Sequence, residues 1–306
     1  MAKIEIDHFT KDYGHGRGVF DISFKVEQGE VYGFLGPNGA GKSTTIRHLM
    51  GFSKPQSGHT KILGMDSFEN YNKFMDKVGY LPGEIALPDG LNGYEFLDMM
   101  KRLKNIKDDS YLKHLLELFE LDPSGDTKRM SLGVKRKLAV VTAFMNDPDI
   151  LILDEPTSGL DLEMQQRFIE FIKEEKKRGK TILLSSHIFS EVDATCDRIA
   201  IIKDGKIVSE FVANDLKHNN NKNYLCEFAT KQDLATFKKG NAENSNFKIM
   251  NENGNSLLIN IDDQKINSLI LALSKSNIIG FTHLKETLED YFMKYYKEDK
   301  DYGGAL

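Results

Sequence analysis

The stretch that decides the fold of this chain reads Gly36-Pro37-Asn38-Gly39-Ala40-Gly41-Lys42-Ser43-Thr44. It fits the pattern of a glycine, four residues, then Gly-Lys-Ser/Thr, which is typical of a loop that cradles phosphates. The apolar run at residues 31–35 predicts a strand before it, and residues 43–50 predict a helix after it. A phosphate-binding loop is expected between a strand and a helix, so the context supports the motif.

Each residue type in this loop has a physical role in holding phosphate. Glycines let backbone N–H groups crowd around phosphate oxygens, and the N-terminus of the following helix adds partial positive charge. Lys42 is expected to reach the β- and γ-phosphates, and the hydroxyl of Ser43 is expected to ligate Mg²⁺. We therefore predict that all nine residues, 36–44, bind a nucleoside triphosphate.

A second group of candidate residues follows the apolar run at residues 150–153, where the chain continues Asp154-Glu155-Pro156. A carboxylate at the end of a buried strand is well placed for a ligand in the crevice beside the phosphate loop. We predict that Asp154 is a partner of Mg²⁺, through water. We predict that Glu155 is the general base that positions and polarises the attacking water.

Hydrophobic periodicity organises the first two thirds of the chain. Residues 3–9 and 19–26 alternate as strands do, whereas the short apolar runs at 150–153 and 181–184 are typical of parallel strands covered on both faces. Apolar residues at helical spacing predict an inserted helical subdomain at about 84–145. This alternation favours α/β layering.

The last third of the chain follows a different pattern. We predict a nucleotide-binding domain at 1–216, a polar linker at 217–223, a small α+β accessory domain at 224–296 and a flexible tail at 297–306. The order of strands and helices predicted for the accessory domain is βαββαβ, which suggests a ferredoxin-like unit.

Composition restricts the classes of function. The formal net charge is -5 and the pI is about 6.0, so no overall basic field favours nucleic acid. The two cysteines, Cys196 and Cys226, provide no disulfide framework and suit a reducing compartment. The N-terminus does not resemble a signal peptide, and no apolar run approaches the roughly 18 residues that a membrane helix needs. If this protein works at a membrane, another chain must cross it.

With these motifs in order, residues 4–215 resemble the nucleotide-binding subunits of ABC transporters. Residues 154–157 and 158–161 match the family's Asp-Glu-Pro-Thr stretch and the D-loop that follows it, which includes Asp161. His187 follows the next predicted strand and matches the switch histidine, which in the family contacts the γ-phosphate and holds the water and the base in place. Tyr13 matches the aromatic residue that stacks on adenine. The resemblance implies that Lys42, Glu155 and His187 form the catalytic set.

The family signature, usually Leu-Ser-Gly-Gly-Gln, is represented by Met130-Ser131-Leu132-Gly133-Val134. Ser131 and Gly133 match the pattern, whereas Leu132 and Val134 depart from it. In the family this serine and the neighbouring N–H groups grip the γ-phosphate bound to the other subunit, so that ATP joins two half-sites. The basic run at 135–137 could add charge there, or it could be a solvated helix face.

A larger departure from the family lies at Gly79-Tyr80-Leu81-Pro82-Gly83-Glu84. The family's Q-loop places glutamine where Gly83 stands. Because glycine has no side chain to touch Mg²⁺ or water, that contact is missing or Glu84 replaces it. Glu155 and His187 are intact, so we still expect turnover.

The resemblance implies an α/β P-loop NTPase core of the ABC ATPase type, with an antiparallel β subdomain and an inserted helical subdomain, plus the α+β appendage. It implies ATP and Mg²⁺ as cofactors, a second nucleotide-binding subunit in a homodimer or a heterodimer, and a multi-span membrane permease as partner. The variant signature and the C-terminal extension resemble the exporter branch that handles drugs, bacteriocins and lipids. The expected location is cytoplasmic, peripheral on the inner face of the cell membrane.

Other functions stay open at the level of sequence. A soluble ABC ATPase acting on ribosomes or DNA is the alternative, although ribosome-acting members usually carry two cassettes and DNA-acting members a long coiled coil, and no nucleic acid partner is expected here. An importer subunit is a further alternative. The appendage could regulate the ATPase by binding a ligand or partner, or it could simply support a dimer.

Overall fold

Three β-sheets organise the chain, whose computed structural model describes residues 2–217, 221–241, 245–284 and 287–297. The chain divides into two compact units, Met1–Ala213 and Asn214–Leu306. The strands of the first unit are β1 Ala2–Gly14, β2 Arg17–Glu27, β3 Val31–Leu35, β4 Ser57–Ile62, β5 Met65–Asp66, β6 Val78–Leu81, β7 Ile150–Asp154, β8 Thr181–Ser186, β9 Arg198–Lys203 and β10 Lys206–Val212.

Helices connect these strands. They are α1 Lys42–Leu49, α2 Tyr71–Phe74, α3 Gly93–Leu103, α4 Ser110–Leu118, α5 Leu132–Phe144, α6 Leu162–Lys177, α7 Phe189–Thr195 and α8 Ala213–Lys217. Among the residues that the structure describes, no helix combines the length and the apolar character needed to cross a membrane.

The central sheet has the order β10-β9-β3-β8-β7-β6. Its inner pairs are parallel, and only the pairing of β10 with β9 is antiparallel. Strand β3 lies next to β8, which lies next to β7, so the loops after these three strands meet at one edge of the sheet. The topology therefore brings the phosphate loop, residue 187 and residues 154–155 together, although they are far apart in the sequence.

A second, antiparallel sheet has the order β2-β1-β4-β5, and its apolar face packs on the central sheet. The core between the sheets includes Ile6, Phe24, Phe34 and Ile152, all fully or almost fully buried. Helices α3, α4 and α5 lie between β6 and β7 in the sequence. The predicted α/β core with an antiparallel β part and an inserted helical region is confirmed.

The predictions differed from the structure in detail. Strands β4, β5 and β6 and the hairpin of β9 and β10 were not predicted. Strands as short as β5 and β6, and a short continuous apolar run such as β9, carry no periodicity that separates strand from helix. Helix α1 begins at Lys42, one residue before its predicted start. The only helix between β8 and β9 is the short α7.

The second unit contains β11 Asn221–Phe228, α9 Lys231–Gly240, β12 Phe247–Asn253, β13 Ser256–Asp262, α10 Ile266–Leu273, β14 Ile278–Leu284 and α11 Leu288–Lys297. Its sheet has the order β12-β13-β11-β14 with antiparallel pairing throughout, which is the ferredoxin-like arrangement that the βαββαβ order suggested. Within the predicted linker, Lys217 ends α8 and residues 221–223 already belong to β11; the remainder, 218–220, lies outside the described residues, as does the predicted tail beyond 297.

Candidate functional site

The phosphate loop connects β3 to α1, as the sequence predicted. Gly41 immediately precedes α1 with φ 112°, a backbone conformation that L side chains rarely adopt. A Cβ atom at this position would also lie 2.8 Å from Cγ2 of Val19, so only glycine fits. The first backbone N–H groups of α1 have no partner within the helix, and they are the groups that bind anions at helix N-termini.

The Lys42 side chain is almost fully buried in this loop, with 4% of its surface exposed. Its ammonium nitrogen donates to the carbonyl oxygens of Gly36 at 2.6 Å and Pro37 at 3.2 Å. The same nitrogen lies 2.9 Å from Oε1 of Glu155. That contact is an ion pair rather than an aligned hydrogen bond, so Oε1 has a neighbouring positive charge but no directed donor. The structure thus joins the phosphate loop directly to the predicted base.

Glu155 stands at the turn after β7 with φ 49°, a strained conformation for a residue other than glycine. Its backbone N–H donates to the carbonyl oxygen of Ser185 at 3.0 Å, which fixes the turn against β8. Its Oε2 lies 2.6 Å from Nδ1 of His187. Because an ionised carboxylate can only accept, Nδ1 carries the proton of this hydrogen bond. The pair leaves Oε1 of Glu155 as the oxygen able to accept a proton from water.

Asp154 is buried at the end of β7, and its Oδ1 accepts a hydrogen bond from the hydroxyl of Ser185. Ser43 lies half-buried in the first turn of α1. A carboxylate and a hydroxyl are the oxygen ligands that suit Mg²⁺, which protein sites usually bind together with substrate phosphates. In the described part of the chain, no group of three or more His, Cys, Asp or Glu side chains could hold a metal alone. Ser43 and Asp154 therefore fit an Mg²⁺ ion that binds together with a nucleotide.

The structure adds Glu191, in the first turn of α7, which the sequence analysis did not identify. Its Oε2 accepts a hydrogen bond from the hydroxyl of Ser186 at 2.5 Å, and Thr157 also hydrogen-bonds its side chain. Burial and, to a smaller extent, the negative charge of Glu155 raise the pKa of Glu191 to about 7, against the opposing effect of the Ser186 and Thr157 hydrogen bonds. Glu191 thus links the turns that carry Glu155 and His187. An acidic residue in a first turn is common, so the sequence carried no specific signal for it.

Replacing Glu191 with glutamine should change the pH dependence of stability. The pKa of this carboxyl is raised in the folded state, so its stabilising contribution is fully present below about pH 4.5 and is lost as the pH rises through about 7. A glutamine stays neutral, and the free energy of unfolding of the variant relative to the wild type should rise by roughly 1.4 kcal/mol per pH unit between about pH 5 and 7.

Urea denaturation at several pH values measures this difference. Glu117→Gln, at an exposed position on α4, is the matched control. Its free energy of unfolding, plotted against pH, should run parallel to that of the wild type. Parallel curves for the Glu191→Gln variant as well would show that the carboxyl is ionised in the folded protein.

The remaining predicted residues occupy surface positions. The ring of Tyr13 is 57% exposed at the end of β1, with the Lys11 ammonium 5.4 Å from its centroid. Ser131 and Asp161 are the N-cap residues of α5 and α6, where their side chains accept hydrogen bonds from the N–H groups of Val134 and Met164. Gly133 lies in the first turn of α5. Within the described part of the chain, no hydrogen bond or ion pair joins these four residues to Lys42, Glu155 or His187, so their nucleotide-binding roles stay predictions.

The loop after β6 carries Gly83 and Glu84 at the position of the family's glutamine. Glu84 is 95% exposed, and its carboxylate lies 4.0 Å from Arg47. It is therefore not directed at Asp154. Instead, the backbone carbonyl groups of Pro82 and Gly83 accept hydrogen bonds from the buried guanidinium of Arg136, which the sequence analysis considered only as part of a basic run.

The phosphate loop between β3 and α1, with acidic residues at the end of β7, two strands away in the same parallel sheet, defines a P-loop nucleoside triphosphatase. The family model of ABC transporters matches residues 19–158. Over 299 residues the chain is 31% identical to the bacitracin transport ATP-binding protein BcrA of Bacillus licheniformis, a match that covers 95% of this chain and 96% of that protein. The chain therefore belongs to the family of ABC transporter ATP-binding proteins.

Other relatives agree with this assignment. The Nod factor export ATP-binding protein I of Burkholderia lata is 35% identical over 215 residues, which cover 69% of this chain and 71% of that protein. A solved ATP-binding subunit of an ABC transporter matches with a TM-score of 0.63 and 29% identity, over 70% of this chain and 91% of the other. A dimeric bacterial ABC transporter cassette matches with a TM-score of 0.62 and 22% identity, over 69% of this chain and 98% of the other. At that identity the match supports the fold alone. The resemblance predicted from the motifs is confirmed, and the chain is an ATPase.

Proposed function

We propose that this protein hydrolyses ATP to power export through a separate membrane-spanning permease. The observation that carries the catalytic part is the contact series Lys42–Glu155–His187, with distances of 2.9 and 2.6 Å. The transport part is supported by relatives whose names specify bacitracin transport and Nod factor export. The location that follows is the cytoplasmic face of the cell membrane, as a peripheral subunit.

The hydrolytic step follows from the positions of the side chains. Lys42 leaves Glu155 and binds the β- and γ-phosphates, which frees Oε1 of Glu155 to accept a proton from water. The water oxygen forms a bond to the γ-phosphorus as the bond to the ADP oxygen breaks. His187 keeps Glu155 in the orientation that the 2.6 Å hydrogen bond defines and, when doubly protonated, donates to the γ-phosphate.

Mg²⁺ would be held by Ser43 and, through water, by Asp154, and it would supply charge neutralisation at the β- and γ-phosphates. The hydrogen bond from Ser185 directs one oxygen of Asp154 and leaves the other for this purpose.

Two copies of the cassette, or one copy and a close relative, would close on ATP. Ser131 and Gly133 of one subunit would contact the γ-phosphate held by Lys42 of the other, with Asp161 at the interface between them. Both Ser131 and the N-terminus of α5 are exposed, which this arrangement requires. The exposed ring of Tyr13 would stack on adenine.

The transport role is tested by mild-detergent purification of the tagged protein from its native cells, followed by mass spectrometry. We expect a stoichiometric multi-span membrane protein to co-purify, and Lys42→Ala should retain it because that residue is buried in the phosphate loop. Recovery of ribosomal or DNA-bound proteins alone would overturn the transport role and leave the ATPase chemistry in place.

A further inference from the structure

Arg136 makes a connection that none of the recognised motifs explains. It lies in α5 with only 3% of its surface exposed. Its Nε donates to the carbonyl oxygen of Ser158 at 2.9 Å, and its Nη1 and Nη2 donate to those of Pro82 and Gly83 at 3.0 and 2.7 Å. One guanidinium thus joins the loop after β6 to the loop after β7. Only arginine has a rigid fork of donors that can span three such acceptors.

The electrostatic environment of Arg136 indicates a role beyond packing. Burial lowers the pKa of its guanidinium, while the charges of Asp154 and Glu155 act in the opposite direction. Its three guanidinium hydrogen bonds go to neutral carbonyl groups, and burying a cation without a direct ion pair is costly. The residue nevertheless lies where its charge acts on Asp154, the predicted partner of Mg²⁺, and on Glu155, the predicted base.

The backbone of Gly83 lies directly against Asp154. A Cβ atom at residue 83 would be 2.9 Å from Oδ2 and 3.2 Å from Cγ of Asp154. This is closer than Cβ atoms normally approach, so an alanine at residue 83 would require the loop or the Asp154 side chain to shift. The other oxygen of Asp154 is directed by Ser185, so the carboxylate is confined from both sides.

From these contacts we propose that Arg136 is a positioning residue that clamps the Pro82–Gly83 backbone against Asp154 and ties it to the loop at Ser158. Asp154 and the adjacent Glu155 then hold their catalytic orientation only while the clamp is closed. A movement of the loop after β6 would reach the carboxylates through the backbone, without a glutamine side chain. The inference rests on the ATP hydrolysis and the Asp154 role proposed above, and it deepens that proposal by naming how the site is controlled.

The test compares Arg136→Gln, Gly83→Ala and the double variant in the purified full-length chain. The first variant removes the clamp, and the second adds a Cβ atom that forces residue 83 and the Asp154 carboxylate apart. Steady-state hydrolysis gives kcat, KM and the Mg²⁺ concentration for half-maximal rate, and a fluorescent ATP analogue gives Kd. Matched controls are Arg102→Gln on the exposed face of α3, and Gly125→Ala, where an added Cβ would meet its nearest atom at 3.9 Å.

We expect each test variant to lower kcat by about 10- to 100-fold, the cost of a misplaced catalytic group. The Kd for the ATP analogue should stay within about threefold of wild type, because the phosphate loop is unchanged. The half-maximal Mg²⁺ concentration should rise. The double variant should be no slower than the slower single variant, since both changes open the same clamp.

Two results would overturn the proposal. One is a kcat within about threefold of wild type in either variant. The other is that the variants behave as changes without a shared clamp: either kcat, ATP binding and Tm fall in parallel, as for a purely structural arginine, or the two costs add in the double variant, as for independent sites. If Arg136→Gln does not fold, Arg136→Lys serves in its place, because it keeps the charge but cannot reach three carbonyl groups. Absence of ATPase activity in the wild type would instead contradict the proposed function, so the two failures are distinguishable.

Discussion

Replacing Glu155 with glutamine should lower ATP turnover by about 10²- to 10⁴-fold, the range expected when a general base is lost. Glutamine has nearly the same shape but cannot accept a proton from water at Oε1. It also weakens the hydrogen bond from His187, which is 2.6 Å long to a charged oxygen in the wild type. ATP binding should persist, because Lys42 keeps its carbonyl partners and loses only a competing carboxylate. The variant should therefore accumulate as an ATP-bound dimer.

Hydrolysis measured by phosphate release, and size measured by light scattering with and without ATP, check both parts of this prediction. Glu174→Gln, on the exposed face of α6, is the matched control and should behave as wild type. Unchanged steady-state hydrolysis in the Glu155→Gln variant would remove Glu155 as the base. Loss of ATP-dependent dimers would instead contradict the proposed closure of two half-sites.

Replacing Lys42 with alanine should weaken ATP binding by about 10- to 150-fold and make turnover undetectable. A hydrogen bond to a charged group contributes about 1.5–3 kcal/mol, which corresponds to that range for a single phosphate contact. The substitution has a second effect: it leaves Glu155, only 14% exposed, without the ammonium 2.9 Å away. The carboxylate and the γ-phosphate would then face each other as two anions.

A fluorescent ATP analogue measures the affinity, and the Tm separates loss of binding from loss of fold. Lys173→Ala provides the control, because that ammonium pairs with Glu170 on the outer side of α6. Wild-type affinity in the Lys42→Ala variant would show that the lysine serves to neutralise Glu155 rather than to bind phosphate.

The motifs that lie within one continuous stretch of sequence were predictable, because the spacing of their residues indicates whether the backbone there is a strand, a loop or a helix. Residues 36–44 predicted the strand, loop and helix that the structure contains, and residues 150–155 predicted a buried strand ending in two acids. Local sequence also indicated the order βαββαβ in the second unit, because turn residues and changes of hydrophobic period mark each element. Short strands such as β6 were missed, because they contain too few residues to show a hydrophobic period.

The contacts between distant residues were not predictable from spacing. The hydrogen bonds of Glu191 with Ser186 and Thr157, and those of Arg136 with Pro82, Gly83 and Ser158, join residues of different structural elements. No local pattern distinguishes a buried arginine of this kind from its half-buried neighbours Lys135 and Lys137. In the same way, the sequence could not show that the Glu84 side chain is 95% exposed and lies near Arg47.

By itself, the sequence determined the class of chemistry, because a phosphate loop, two acids after an apolar strand and a histidine after the next strand are each local features. The tertiary structure decided how these features combine. The strand order β3-β8-β7 sets the loops of three separate segments side by side, and this order depends on packing across the whole sheet rather than on any one segment. For the same reason only the folded chain shows that a glycine backbone, held by Arg136, lies against Asp154 where the family has a glutamine.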